Sequence, residues 1–424
     1  MVRITFERDP RELPALLRAL TGVVAWKDWE ARVAGLRASS RRNPVWERFV
    51  RERYGLELAF GEVRDHLRET GRIPWPPRNA EEARLYAFAL AAVGVYARLS
   101  NDGKARLAGA IERGLQNVDG LGPLAFELRV AVHLMRRGFD VFFHDLELGG
   151  GYDFLATRGT AQIEVECKHV SADLGRQIHR RDFYSLGELL HPVFSEALQT
   201  GSGQFLKVTL PGRLTARREQ HLAIVDRISA VLSGAMSRVE DAVCAVEMCN
   251  FPIPGSPFDA NDGHRLTLSS VENFALRAFG IEQAHLMIQW RPGYGAIVLQ
   301  LESRKPDRVL AQLINNLRED TKRQFSGYRP ALLCLHLADV TEPQLLELVE
   351  LDRAGEGTGI QRAASILLHK RPHLHSIALM TDGSVVMRDL PGQGKSVEEF
   401  GPSYVFSNPQ HPHGIDPRLR NVFF

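Results

Sequence analysis

Residues 149–170 read GGGYDFLATRGTAQIEVECKHV, and this stretch decides the fold. Two β-prone runs, YDFLAT and AQIEVECKHV, are separated only by Arg158-Gly159-Thr160, a connection of hairpin length that makes them antiparallel neighbours. Alternate strand side chains share a face, so Gln162, Glu164, Glu166 and Lys168 project together while Ile163, Val165 and Cys167 point the other way. Asp153 enters the partner strand one residue after three glycines and can meet those acids.

Working outward, the segment from Leu124 to Arg137 is helical in pattern and is followed by Gly138 and the short β-prone run FDVFF. Glu127 interrupts the apolar face of that helix and is placed to lean over the same site. Converging carboxylates repel one another and would protonate in a protein interior unless a hard cation joined them, so this oxygen-rich set suits Mg²⁺. Lys168 adds a positive charge that can hold an attacking water and neutralise charge developing on a phosphoryl group. The combination fits phosphodiester hydrolysis.

Helix Glu127, Gly-Gly-Gly-Tyr-Asp153 on one strand and Glu166-Cys-Lys168 on the next resembles the PD-(D/E)xK nuclease superfamily, the restriction-endonuclease-like fold. That resemblance implies Asp153, Glu166 and the Cys167 main-chain carbonyl as metal ligands, with Mn²⁺ able to replace Mg²⁺. It implies Lys168 as the residue that positions or activates water, and Glu127 as the acid that completes or orients the metal site. It also implies a nucleic-acid substrate, DNA ahead of RNA, and roles such as defence, restriction or repair. Tyr152 stands where the family usually has proline. A protein that keeps such a fold to bind nucleic acid or to assemble, without turnover, is the second expectation. Glu164 reads either as a further ligand or as a partly exposed strand glutamate.

The expected class is α/β (α+β): an all-α domain over residues 1–116, then a restriction-endonuclease-like mixed-sheet domain over 117–424. Helical spacing dominates the first part, where Asn79 with Glu81 and Glu82 marks one helix start and Leu85 to Ala97 reads as a buried helix. Core motifs lie at 124–170, a large insertion occupies about 171–300, and later core elements fall at about 305–390. An amphipathic helix is expected from Pro306 to near Gly327, followed by the strand ALLCLHL. Asp382-Gly383 predicts a hairpin joining HSIALMT to SVVMRDL, and the tail from Gln393 reads as loop.

The 424 residues carry 53 basic and 51 acidic side chains for a net charge of +2, so a polyanion partner has to be argued locally. Arg41 and Arg42 lie in a basic stretch interleaved with aromatic residues, which reads either as a phosphate-tracking segment or as the solvated face of amphipathic helices. Gln177, Arg180 and Arg181 follow the Glu-x-Lys strand and are further candidates to contact a nucleic-acid backbone. Four cysteines without paired spacing give neither a disulfide framework nor a zinc finger. A charged N-terminus and a longest apolar run of thirteen residues, Leu85 to Ala97, argue for a cytoplasmic protein away from the membrane. GxxxxGK[ST], HExxH and Gly-x-Ser-x-Gly are absent, so energy-driven translocation would need a separate partner protein. A homodimer stays open.

Overall fold

The computed structural model describes residues 12–42, 50–51, 53–117, 119–171, 173–198, 202–259, 268–280, 285–291, 295–308, 312–317, 324–338, 340, 342–353, 359–382, 384–389, 395–400, 403–408 and 410–411. Helices up to the hairpin are α1 (Leu13–Val23), α2 (Trp26–Arg42), α3 (Gly55–Thr70), α4 (Ala80–Tyr96), α5 (Asn101–Gln116), α6 (Gly122–Arg136) and the short α7 (His144–Leu148). Strands β1 (Asp140–Phe142), β2 (Phe154–Arg158) and β3 (Ala161–Val170) frame the opening motif. Then come α8 (Arg180–Ala197), β4 (Gly203–Leu210), α9 (Arg218–Leu232), β5 (Arg238–Glu240), β6 (Ala245–Phe251), α10 (Leu268–Phe279), β7 (His285–Arg291) and β8 (Gly295–Ser303). The chain ends with β9 (Ala331–Leu337), α11 (Glu342–Arg353), α12 (Gly359–Lys370), β10 (Leu374–Met380), β11 (Ser384–Asp389), β12 (Lys395–Phe400) and β13 (Ser403–Ser407). The class is α/β, with mixed parallel and antiparallel sheets.

Two compact units form, one from the chain up to Ala38, Val50–Leu174 and Val309 onward, the other from Ser39–Phe49 and Gly175–Arg308. The first holds a six-stranded sheet in the order β1-β2-β3-β9-β10-β13. Its first three strands form an antiparallel meander, whereas β3, β9 and β10 run parallel and β13 closes the edge antiparallel to β10. Leu20, Trp29, Leu85, Leu107 and Ile111 from the helices share one apolar core with Val130, Leu134, Phe154, Ile163, Val165 and Cys334. The helices before residue 116 are therefore part of the sheet-bearing unit and do not make the separate domain expected from periodicity. A second core, with Leu333, Leu335, Leu367 and Leu368, lies on another side of the same sheet.

The chain between β3 and β9 forms the second unit, with its own five-stranded sheet in the order β5-β6-β4-β8-β7. β4 and β8 run parallel, and buried residues of α8 and α9, among them Phe194 and Ile228, share a core with Leu206 and Leu299. The expected insertion is thus an α/β body spanning Gly175–Arg308.

Three local expectations change. β10 and β11 are not paired: β10 sits between β9 and β13, while β11 pairs with β12, so the residues around Asp382 do not make the expected hairpin. Lys395–Phe400 and Ser403–Ser407 are strands where loop was expected. Of the helix expected from Pro306, residues 312–317 are helical and bury Leu313 and Leu317, while 309–311 and 318–323 lie outside the described residues. Among the described residues, no helix is long and apolar enough to cross a membrane.

The start of α4 forms as its sequence indicates: the Asn79 side chain accepts a hydrogen bond from the Glu82 amide at 2.8 Å, and Glu82 folds back onto the Arg78 amide at 2.7 Å. Replacing Asn79 by Ala removes an acceptor from an otherwise orphaned amide and is expected to cost about 1 kcal/mol, read as a lower urea midpoint.

Candidate active site

The hairpin register pairs Phe154 with Val165, and continuing it by one residue sets Asp153 across from Glu166. Directly opposed residues on antiparallel strands have their Cβ atoms about 5 Å apart and face the same way. The Cys167 amide donates to Asp153 Oδ2 at 2.6 Å and fixes that carboxylate at the mouth of the hairpin. Behind it, Gly149, Gly150 and Gly151 have φ of 77°, 116° and 89°, conformations that L side chains rarely adopt. The turn they make lets Gly150 N donate to Asp145 Oδ1 at 2.7 Å and Asp145 N donate to the Asp153 carbonyl at 3.3 Å. His144 packs against Tyr152 with ring centroids 4.2 Å apart.

Glu166 is 2% exposed, and its Oε1 lies 2.9 Å from Lys168 Nζ. Glu127 comes from α6, whose apolar residues pack on β3. Burial, then the charges of Asp145 and Glu166, push the Glu127 carboxyl up to about 8. Asp153 is held well above the usual carboxylate range by burial and by Glu127, against the opposing pull of the Cys167 amide and Lys168. All four site residues expected from the sequence, Glu127, Asp153, Glu166 and Lys168, are therefore brought together in one unit. Asp145 joins them and was missed. Its only signal was an acid at the head of a very short helix, just before the glycine turn.

Glu164 is neither a partly exposed strand glutamate nor aligned as a ligand. It is fully buried, and its carboxylate accepts from Ser326 N at 2.9 Å, Ser326 Oγ at 2.5 Å and Arg329 Nη1 at 3.3 Å. Those partners satisfy it as a structural anchor between β3 and the segment before β9. On the other face of β3, Cys167 lies in register with Cys334 of β9; both thiols are free, and burial followed by the Cys334 thiol pushes Cys167 up.

Next to Lys168, His169 Nδ1 is 2.9 Å from His336 Nδ1, and His336 Nε2 is 2.9 Å from Asp382 Oδ1. The Arg129 guanidinium stands 3.9 Å from the same carboxylate. Burial, followed by the neighbouring His336, brings His169 down to about 4. The residue read from sequence as a turn former thus anchors a histidine pair at the carboxyl ends of the parallel strands.

Gln177, Arg180 and Arg181 belong to the second unit: Asp307 Oδ1 accepts from Gln177 N at 2.7 Å, and Arg180 and Arg181 open α8. Arg41 and Arg42 are the last residues of α2, and their side chains lie outside the described residues. Among the described residues, no set of three His, Cys, Asp or Glu side chains is drawn up around one point as a metal cage; here Lys168 engages Glu166 and the Cys167 amide engages Asp153. Compared with known proteins, the chain matches no family model, no curated protein and no solved structure.

Two outcomes follow from this electrostatics. A carboxyl raised in the folded state binds its proton more tightly there than in the unfolded chain, so the stability it contributes falls as pH rises from about 4.5 to about 8. Glu127→Gln is expected to flatten that decline relative to wild type in urea melts across the same range. Glu164→Ala strips Ser326 and Arg329 of a buried acceptor and is expected to destabilise by about 1–3 kcal/mol, more than Glu164→Gln, in the same assay.

Proposed function

We propose that this protein is a metal-dependent nuclease that hydrolyses phosphodiester bonds in nucleic acid, DNA ahead of RNA. The observation that carries the reading is the opposition of Asp153 and Glu166 across the hairpin, with Lys168 two residues beyond Glu166 on its face and Glu127 arriving from α6. The order α6-β1-β2-β3, with β9 added parallel to β3 after an inserted body, supports the same resemblance to the PD-(D/E)xK superfamily.

The donor chemistry fits a divalent cation. Four carboxylates interact around one ammonium, and both Glu127 and Asp153 are pushed toward protonation, first by burial and then by neighbouring carboxylates. Asp153, Glu166 and the Cys167 main-chain carbonyl would hold Mg²⁺, or Mn²⁺ in its place. In a strand the N–H and C=O of one residue point to the same side, so this carbonyl faces the edge that its amide shares with Asp153. Mg²⁺ retains several waters, so this small protein ligand set is sufficient. When bound, the ion supplies Lewis-acid polarisation of the phosphoryl group.

The chain's own residues do the rest. Lys168, released from Glu166, donates to the attacking water and offsets the negative charge that grows on the phosphoryl oxygens. Glu127, with a carboxyl poised near 8, exchanges a proton at neutral pH and orients the shared acids.

Purified protein is expected to cut plasmid or linear DNA with Mg²⁺ or Mn²⁺ and to stop in EDTA. Lys168→Ala and Asp153→Ala should each lower the cleavage rate at least a hundredfold while keeping the wild-type circular dichroism spectrum. Undiminished cleavage by either folded variant overturns the site, and the same assay with RNA and single-stranded DNA ranks the substrates.

A further inference from the structure

The second unit gathers positive charge at the carboxyl ends of its parallel strands, β4 and β8. Three segments that are distant in sequence are tied together there. Leu214 N donates to the Gln177 carbonyl at 3.0 Å, Arg308 N donates to the Gly175 carbonyl at 2.7 Å, and Ser303 Oγ donates to the Gly212 carbonyl at 3.1 Å. The Arg213 guanidinium lies 3.1 Å from the His179 ring nitrogens.

The first segment brings Arg176, Arg180 and Arg181. A second brings Arg213, Arg217 and Arg218, all exposed. Exposed Lys305 and Arg308 come from the third. The acids among them are fewer: Glu219 and Asp307 are exposed, Asp182 is buried, and the Asp307 carboxylate is engaged by the Gln177 amide. Within the third segment, Arg304 is already paired with Glu240.

Two long helices begin on this face, α8 behind His179 and α9 behind Arg217, and neither has a side-chain cap hydrogen bond. Basic residues at a helix N-terminus work against the helix dipole, whereas an anion there is favoured by it. The carboxyl edge of parallel strands is also where ligands of open α/β sheets bind. All but one of the basic residues are arginines, whose planar guanidinium groups match phosphate oxygens in pairs.

From this juxtaposition we infer that the face formed by residues 175–181, 211–218 and 304–308 binds the phosphate backbone of a nucleic acid. The surface rests on the nuclease reading only for the ligand's identity. It gives the inserted unit the task of gripping the substrate's charge without reading its bases, since contacts to phosphates position a duplex and carry no sequence information directly.

The test uses the full chain and a labelled random-sequence duplex in EDTA, so that binding is measured without hydrolysis, across a range of salt. Wild type should bind with a steep salt dependence. Arg213→Glu/Arg217→Glu/Arg218→Glu should bind at least tenfold more weakly, with a slope of log affinity against log salt shallower by roughly two to three. Arg176→Glu/Lys305→Glu, from the other two segments, should move both quantities the same way and carries the test if the triple variant fails to fold.

Unchanged affinity and slope in folded variants overturn the proposal. So does a loss confined to phosphatidylserine vesicles with duplex binding intact. Binding that depends on this face in a wild-type protein that never cuts with Mg²⁺ or Mn²⁺ upholds the surface and removes the nuclease reading. Cleavage that persists with unaltered binding does the reverse.

Discussion

A strand in the interior of a sheet has neighbours on both edges and packing on both faces, yet β3 carries Glu164, Glu166 and Lys168 along one of those faces. Burying an ionised group without partners is far more costly than any single contact gains, so each charge on β3 dictates something nearby. Glu164 is satisfied by Ser326 and Arg329, which draws the segment ahead of β9 onto β3. Glu166 is held by Lys168, and Asp153 across from it is held by the Cys167 amide. Beside them Glu127, buried near Asp145 and Glu166, is pushed toward its neutral form. Crowding carboxyls into a buried space carries an electrostatic cost that the proposed cation would offset.

The geometry separates two kinds of acid on the same strand face. Glu164 has a hydroxyl, an amide and a guanidinium aimed at it and is locked in one arrangement. Glu166 faces Lys168, whose long side chain has several rotatable bonds and can swing away. Rigid satisfaction suits an anchor, whereas a partner that can depart suits a group whose ligands change during a reaction. The distinction turns on what lies across the sheet, and alternation along β3 treats the two residues alike.

How far the sequence was legible follows from range. The β2–β3 hairpin, its facing side chains and the Asn79 helix start are set by neighbours within a few residues, and strand periodicity and capping chemistry suffice to read them. Asp145 escaped because its role depends on the fold of the glycine turn. Glu164 was misread because Ser326 and Arg329 are far along the chain. Asp382-Gly383 carried a strong local turn signal, but parallel pairing with β9 and antiparallel pairing with β13 fill both edges of β10, and Asp382 is used by His336 instead. The helical residues before 116 have the periodicity of a separate bundle; only the core they share with Phe154, Ile163 and Cys334 shows that they belong to the sheet.

The parallel pairing of β3 with β9 also sets a timetable. The whole second unit is encoded between these two strands, so a growing chain exposes its Glu-x-Lys strand long before Ala331–Leu337 has been made. At bacterial-to-eukaryotic elongation speeds that delay is roughly ten to thirty seconds. Throughout it β3 lacks one edge partner, and Glu164 lacks Ser326 and Arg329. β3 therefore gains its second edge, and Glu164 its buried partners, only late in biosynthesis.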